Sequence, residues 1–216
     1  MKRLVPHKLA PPKSTLFDKI PFREFVAICE LFIWCYSDLK DKKMFILGLH
    51  EGRYRTMILK HVRLNKERFA VNHFKFFPEV GVYDDDDEDI KGRVDILATS
   101  NNWTDENWYY AFECKRLKDN SKNDSYINDG LSRYVIDEKY SHIMPYAGMI
   151  GFIEKGKIDK IVLNIEKRLM SHTEKAMHGQ LRPYIIKGFK YCFVTSHERI
   201  KSKRSIEIYH MFFDLQ

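Results

Sequence analysis

The sequence predicts an α/β fold: a mixed central β-sheet flanked by helices, with an N-terminal helical extension. Three observations predict it. Apolar periodicity changes along the chain in the order α-β-β-β-α-β-α-β-β. Hydrophobic residues make up 44% and aromatics 14% of the 216 residues, enough for a sizeable core and unlike a disordered chain. The length suits one main domain, so the expected division is an arm with an apolar helix over residues 1–43 and the sheet-bearing domain over 44–216.

Residues 1–20 read as an irregular basic arm, in which Pro6, Pro11 and Pro12 interrupt Lys2, Arg3, Lys8 and Lys13 and no signal-peptide apolar segment follows. Pro21 opens a helix that runs to Tyr36, proline being tolerated in a first turn. That helix is apolar almost all round, which predicts burial in the domain or in a partner. Its longest apolar stretch contains Glu30 and is too short to span a bilayer. Residues 37–43 read as a charged turn. A second helix is expected over 51–65, where Tyr54, Met57, Ile58, His61 and Val62 recur at helical spacing.

Residues 69–82, with Phe74, Phe76 and Phe77, read as the first strand. The acidic run at 84–89 predicts a solvated hairpin loop, since it lacks the alternating ligands and glycine of a calcium loop. Strands are expected around Val94–Leu97 and Tyr109–Lys115, separated by a polar loop. A helix over 126–140, a strand over 147–153, a helix over 158–170 and strands over 189–195 and 206–213 complete the chain.

The net charge of +7 and the isoelectric point near 9.1 suit a polyanionic partner such as nucleic acid. Cys29, Cys35, Cys114 and Cys192 form no C-x-x-C pair and have no histidine at zinc spacing, so they read as reduced core residues of a cytoplasmic protein. The histidines are scattered, and no glycine-rich phosphate loop points to a nucleotide motor or a redox cofactor.

The chemistry concentrates in two strands, Gly92-Arg93-Val94-Asp95-Ile96-Leu97 and Tyr109-Tyr110-Ala111-Phe112-Glu113-Cys114-Lys115. Alternate strand residues share a face at about 3.4 Å per residue, so Glu113 and Lys115 project together, roughly 7 Å apart along the backbone. Tyr110, Phe112 and Cys114 then point into the opposite layer, and pairing of the two strands brings Asp95 alongside Glu113. With 14 Glu and 24 Lys, about one or two Glu-x-Lys triplets arise from composition alone, and Glu113-Cys114-Lys115 is the only one. The weight therefore rests on its place at the end of an apolar strand beside a second acid. Two carboxylates and a lysine on one sheet face suit a hard divalent cation and the water it activates. A structural Glu–Lys ion pair is the competing reading.

Asp95, Glu113 and Lys115, in this order on successive strands, resemble the signature of the PD-(D/E)XK nuclease superfamily, with Val94 where that family usually has proline. The resemblance covers roughly residues 44–193. It implies a restriction-endonuclease-like fold and Mg²⁺-dependent hydrolysis of DNA phosphodiesters, with Mn²⁺ able to substitute and with 5′-phosphate and 3′-hydroxyl products. Asp95 and Glu113 would hold the ion, the backbone carbonyl of Cys114 would add a ligand, and Lys115 would orient the attacking water. Glu51, at a helix start, and Glu79, near the end of the first strand, are rival candidates for a further acidic ligand. Arg93, Arg116, Lys118 and Lys122 form a basic end to the site. Arg133, Lys139 and Tyr140 are expected on the next helix, with Arg133 and Tyr140 seven apart on one face towards DNA. The expected partners are DNA and a second copy or a partner protein of a bacterial restriction or anti-phage defence system. Cleavage of RNA, and a nucleic-acid-binding or scaffold role without catalysis, remain open alternatives.

Overall fold

Runs rich in aromatic and β-branched residues assemble into one mixed sheet with helices on both faces. The computed structural model describes residues 22–84, 87–105, 108–118, 123–140 and 143–216. The elements are α1 (Phe22–Asp41), α2 (Glu51–Asn65), a 3-10 turn (Lys66–Phe69), β1 (Phe74–Asp84), β2 (Asp87–Ser100), β3 (Tyr110–Leu117), α3 (Asn123–Tyr126), a π turn (Ile127–Leu131), α4 (Ser132–Val135), β4 (Tyr146–Ile153), α5 (Ile158–Met170), a 3-10 turn (Lys175–Met177), β5 (Arg182–Pro183), β6 (Cys192–Glu198) and β7 (Ser205–Asp214).

The sheet order is β1-β2-β3-β4-β7-β6-β5. β1, β2 and β3 form an antiparallel meander. β4 lies parallel to β3, β7 parallel to β4, and β6 and β5 return antiparallel. The parallel centre is buried on both faces, which explains why all eight residues of β4 are buried.

Two apolar layers flank the sheet. Phe112, Cys114, Ile150 and Met211 belong to the layer that packs under α1 and α2. Ala111, Leu117, Met149 and Phe212 belong to the other, with Tyr126, Leu131, Tyr134 and Ile165. Alternation along β3 thus sends its even residues to one layer and its odd residues to the other.

α1 is a structural part of the sheet's cover. The Phe25 ring stacks on Phe112 at 5.7 Å and meets Tyr110, Tyr146 and Tyr209, so one side chain spans β3, β4 and β7. The apolar face that the sequence offered to the domain or to a partner is spent on the chain's own strands. Two further differences have local causes. The expected turn at 37–43 is helical as far as Asp41, because Leu39 is buried and Lys40 donates to the Asp214 carbonyl at 2.7 Å. The expected six-residue acidic loop is shorter, because β1 runs to Asp84 and β2 starts at Asp87, with those two residues paired.

The four cysteines are buried and free. Among the described residues no helix is long and apolar enough to cross a membrane. The basic arm over 1–20 and Lys122 lie outside the described residues.

Candidate functional site

In the antiparallel β2–β3 pair, Ile96 faces Phe112 and Leu97 faces Ala111. The paired ladder ends there, one residue short of Asp95 and Glu113, and a side-chain bond takes over. Asp95 Oδ2 accepts the backbone N–H of Cys114 at 2.8 Å, which fixes the Asp95 carboxylate over β3. Lys115 Nζ donates to Glu113 Oε1 at 2.5 Å and to the Cys114 carbonyl at 3.1 Å. Glu113 is fully buried, and the Lys115 side chain is 12% exposed. Asp95, Glu113 and Lys115 therefore lie close enough to feel one another's charge.

A second shell of donors closes around Glu113. Arg133 Nη1 donates to Glu113 Oε1 at 2.8 Å and to the Tyr140 hydroxyl at 3.0 Å. The Tyr140 hydroxyl donates to Glu113 Oε2 at 2.5 Å and lies 3.0 Å from the Arg93 carbonyl oxygen. The helix that carries Arg133 ends at Val135, so Tyr140 sits on the following loop and the expected shared helix face does not exist. The two residues meet because both bond to Glu113.

The π turn positions this shell. Its extra residue per turn brings Gly130 against Lys115, where an added Cβ would lie 3.5 Å from Lys115 Cε and only 2.7 Å from Met149 Cε. A side chain at 130 would displace the Met149 methyl first. The Tyr134 hydroxyl lies 3.2 Å from the Ala111 carbonyl and 3.0 Å from that of Gly148, which ties the segment to β3 and β4.

α2 approaches from the other side. Arg55 Nη1 donates to Asp95 Oδ1 at 2.5 Å, and Nη2 bonds Glu79 Oε1. Glu79 lies on β1, where the register sets it between the Pro78–Ile96 and Val80–Val94 pairs and so opposite Asp95. Its φ of +51° is a left-handed conformation inside a strand. Glu51, in the first turn of α2, accepts the backbone N–H of Arg116 at 2.8 Å through Oε2. Glu51 is thus turned towards β3, whereas the Glu79 side chain is 58% exposed.

Burial, with the negative charge of Asp95, pushes the Glu113 carboxyl up to about 7, against the pull of Lys115 and Tyr140. Burial likewise raises Glu51, with Lys115 opposing and Asp95 reinforcing. Burial works to lower Lys115, but Glu113, Asp95 and Glu51 together hold its ammonium above the ordinary value. Three carboxylates and one ammonium therefore feel one another across the site.

Asp95, Glu113, Glu51 and the Cys114 carbonyl offer only oxygen donors, the class that hard cations take. The raised carboxyl of Glu113 marks negative charge that a divalent ion would relieve. Among the described residues, no three acidic, histidine or cysteine side chains converge at metal-ligand spacing. The oxygens of Asp95 and Glu113 are instead bonded by Arg55, Lys115, Arg133, Tyr140 and the Cys114 amide. The donor chemistry fits the ion once those internal cations move off it.

The remaining basic residues take varied positions. Arg93 is exposed on β2. Arg116 Nε lies 3.5 Å and Lys118 Nζ 3.1 Å from the same oxygen of Glu154, so both cations face an internal acid. Lys139 packs its stem against Gly92 and sits 3.7 Å from an Asp137 oxygen. Arg55 and Glu154 carry no sequence signal for the site. Arg55 does lie three residues before Ile58 and one after Tyr54, on a helix already assigned. Only its distance to Asp95 gives it a role.

No protein-family model, no curated protein and no solved structure matches this chain.

Proposed function

We propose that the chain is a Mg²⁺-dependent nuclease acting on DNA phosphodiesters, on a restriction-endonuclease-like sheet. One observation carries the reading: Asp95, Glu113 and Lys115 meet where the β2–β3 ladder ends, with Asp95 bonded to the Cys114 amide and Lys115 bonded to Glu113. The order α2, β1, β2, β3, helix, β4, with an antiparallel meander followed by a parallel strand, supports the fold part of the reading. The net charge of +7 supports a polyanionic substrate.

Asp95 and Glu113 would hold the ion, with the Cys114 carbonyl and the inward-turned Glu51 as further oxygen donors. A bound Mg²⁺ supplies Lewis-acid polarisation of the scissile phosphate and acidifies a water. Lys115 orients the attacking water and offsets the charge that grows on the phosphate. Arg133 and Tyr140 hold the Glu113 carboxylate in place, so they act as positioning residues.

The deciding experiment is plasmid nicking with Mg²⁺ by the wild type, Glu113→Ala and Lys115→Ala, run in parallel with an RNA substrate. Nicking by the wild type alone supports the reading, and equal cleavage by all three removes it. A second reading, a nucleic-acid-binding protein without catalysis, draws on the self-neutralised carboxylates of Asp95 and Glu113. It predicts DNA binding that neither Mg²⁺ nor Asp95→Asn alters.

A further inference from the structure

We propose that Arg55 is a guanidinium latch: it holds Asp95 and Glu79 while no divalent ion is bound, and it must leave Asp95 before that carboxylate ligates one. The inference rests on the metal-dependent reading above and adds a residue that reading does not use.

The geometry is that of a clamp with one fixed and one movable jaw. Arg55 Nη1 lies 2.5 Å from Asp95 Oδ1, and Nη2 bonds Glu79 Oε1. Asp95 is the fixed jaw, since its second oxygen accepts the Cys114 amide and its side chain is 15% exposed. Glu79 is the movable jaw, with its side chain 58% exposed. A guanidinium released from Asp95 therefore keeps a partner that can swing outward with it.

Two features of the surroundings favour release over permanence. Arg55 is 6% exposed, yet its Nε has no hydrogen-bond partner, so the group is held by its two carboxylates alone. A buried arginine used only as a strut ordinarily has its donors satisfied. Gly52, one turn earlier on α2, leaves the space that the guanidinium occupies: an added Cβ would lie 3.3 Å from Arg55 Nη2. The left-handed φ of Glu79 adds a further sign, since such a conformation is unfavourable at a non-glycine residue and is retained where the surroundings use it.

The exchange balances electrostatically. A monovalent guanidinium leaves an oxygen of Asp95 and a divalent cation replaces it, so the attraction on that carboxylate grows with the charge of the incoming ion. Arg55 thus lowers the site's affinity for a free ion and keeps the acids neutralised in its absence.

The test is calorimetric titration of Mg²⁺ into DNA-free protein, which reads the latch without reading cleavage. Arg55→Gln should bind Mg²⁺ about tenfold more tightly than the wild type, and Asp95→Asn should lose binding. Arg55→Lys, which keeps the charge but not the fork, should fall between, and it decides the matter if Arg55→Gln does not fold. Affinity unchanged or weakened in these Arg55 variants, with binding still lost in Asp95→Asn, overturns the latch and leaves the metal reading standing. No binding by the wild type or by either Arg55 variant at millimolar Mg²⁺ overturns both.

Discussion

The Tyr140 hydroxyl lies 2.5 Å from Glu113 Oε2, across 27 residues of chain, and is the one side-chain donor to that oxygen among the described residues. Tyr140→Phe leaves half of a buried carboxylate without a partner. Hydrogen bonds to charged groups contribute about 1.5–3 kcal/mol, so the variant should melt several degrees below the wild type. Thermal melting measures the stability loss, and under the proposed nuclease reading Mg²⁺-dependent nicking should fall alongside it. A variant with wild-type melting and wild-type cleavage would show that Tyr140 does not hold the acid.

Glu154 joins the loop before α2 to the end of β3. Its Oε1 accepts the Tyr54 hydroxyl at 2.7 Å and the Gly48 amide at 3.0 Å, and Lys118 Nζ lies 3.1 Å from Oε2. Glu154→Gln sets an amide against Lys118 and Arg116, which should cost about 1–3 kcal/mol. Urea denaturation checks the magnitude. Hydrogen exchange at the Gly48 amide should accelerate, because that amide loses a charged acceptor.

A buried polar chain crosses β6 and β7. One proton order satisfies every link. The Tyr126 hydroxyl donates to His210 Nδ1 (2.9 Å), His210 Nε2 to Thr195 Oγ1 (2.8 Å), Thr195 to His197 Nε2 (2.8 Å), and His197 Nδ1 to the Ala176 carbonyl (3.0 Å). Both imidazoles are neutral in that order, and protonating either one sets two donors face to face. Burial pushes His197 down to about 4 and His210 down to about 3, with His197 adding to the shift of His210. These folded values lie below the ordinary ~6.5, so the unfolded chain takes up protons first as pH falls. Their stabilisation is complete above about pH 6.5 and is lost from there towards about pH 3–4, at up to ~1.4 kcal/mol per pH unit for each ring. Urea midpoints measured across that window should fall steeply for the wild type and less steeply for His210→Gln. Parallel slopes would show that the ring does not titrate on unfolding.

Phe25→Ala tests whether α1 belongs to the domain. The ring is fully buried against side chains from three strands, and such truncations cost about 3–5 kcal/mol. Chemical denaturation should show that loss in a single transition. A separate early transition, with the sheet left intact, would make α1 an appendage.

The parts legible in the sequence are those set by local period. Glu113 and Lys115 project together because strands repeat every two residues, and α2 and α5 show their apolar spacing directly. The rest depends on partners distant in the chain. Nothing near Arg55 announces Asp95, 40 residues away, and the pairing emerges only when α2 crosses the meander. The helix expected through Tyr140 stops at Val135 after the π turn, which has no compositional signature. Glu51 and Glu79 could not be ranked from sequence because their difference lies in burial: one turns inward to β3 and the other outward to solvent. The two-residue edge strand β5 is too short for any periodic signal.

β7 stands between β4 and β6, although every other strand precedes it in the chain. On the ribosome, a nascent polypeptide would expose one flank of β4 until the ten residues of β7 emerge. α1 would wait too, since Phe25 packs on Tyr209 and the Tyr36 hydroxyl donates to the Asp214 carbonyl. Translation thus acts as a timer, postponing a finished sheet until synthesis has passed Asp214.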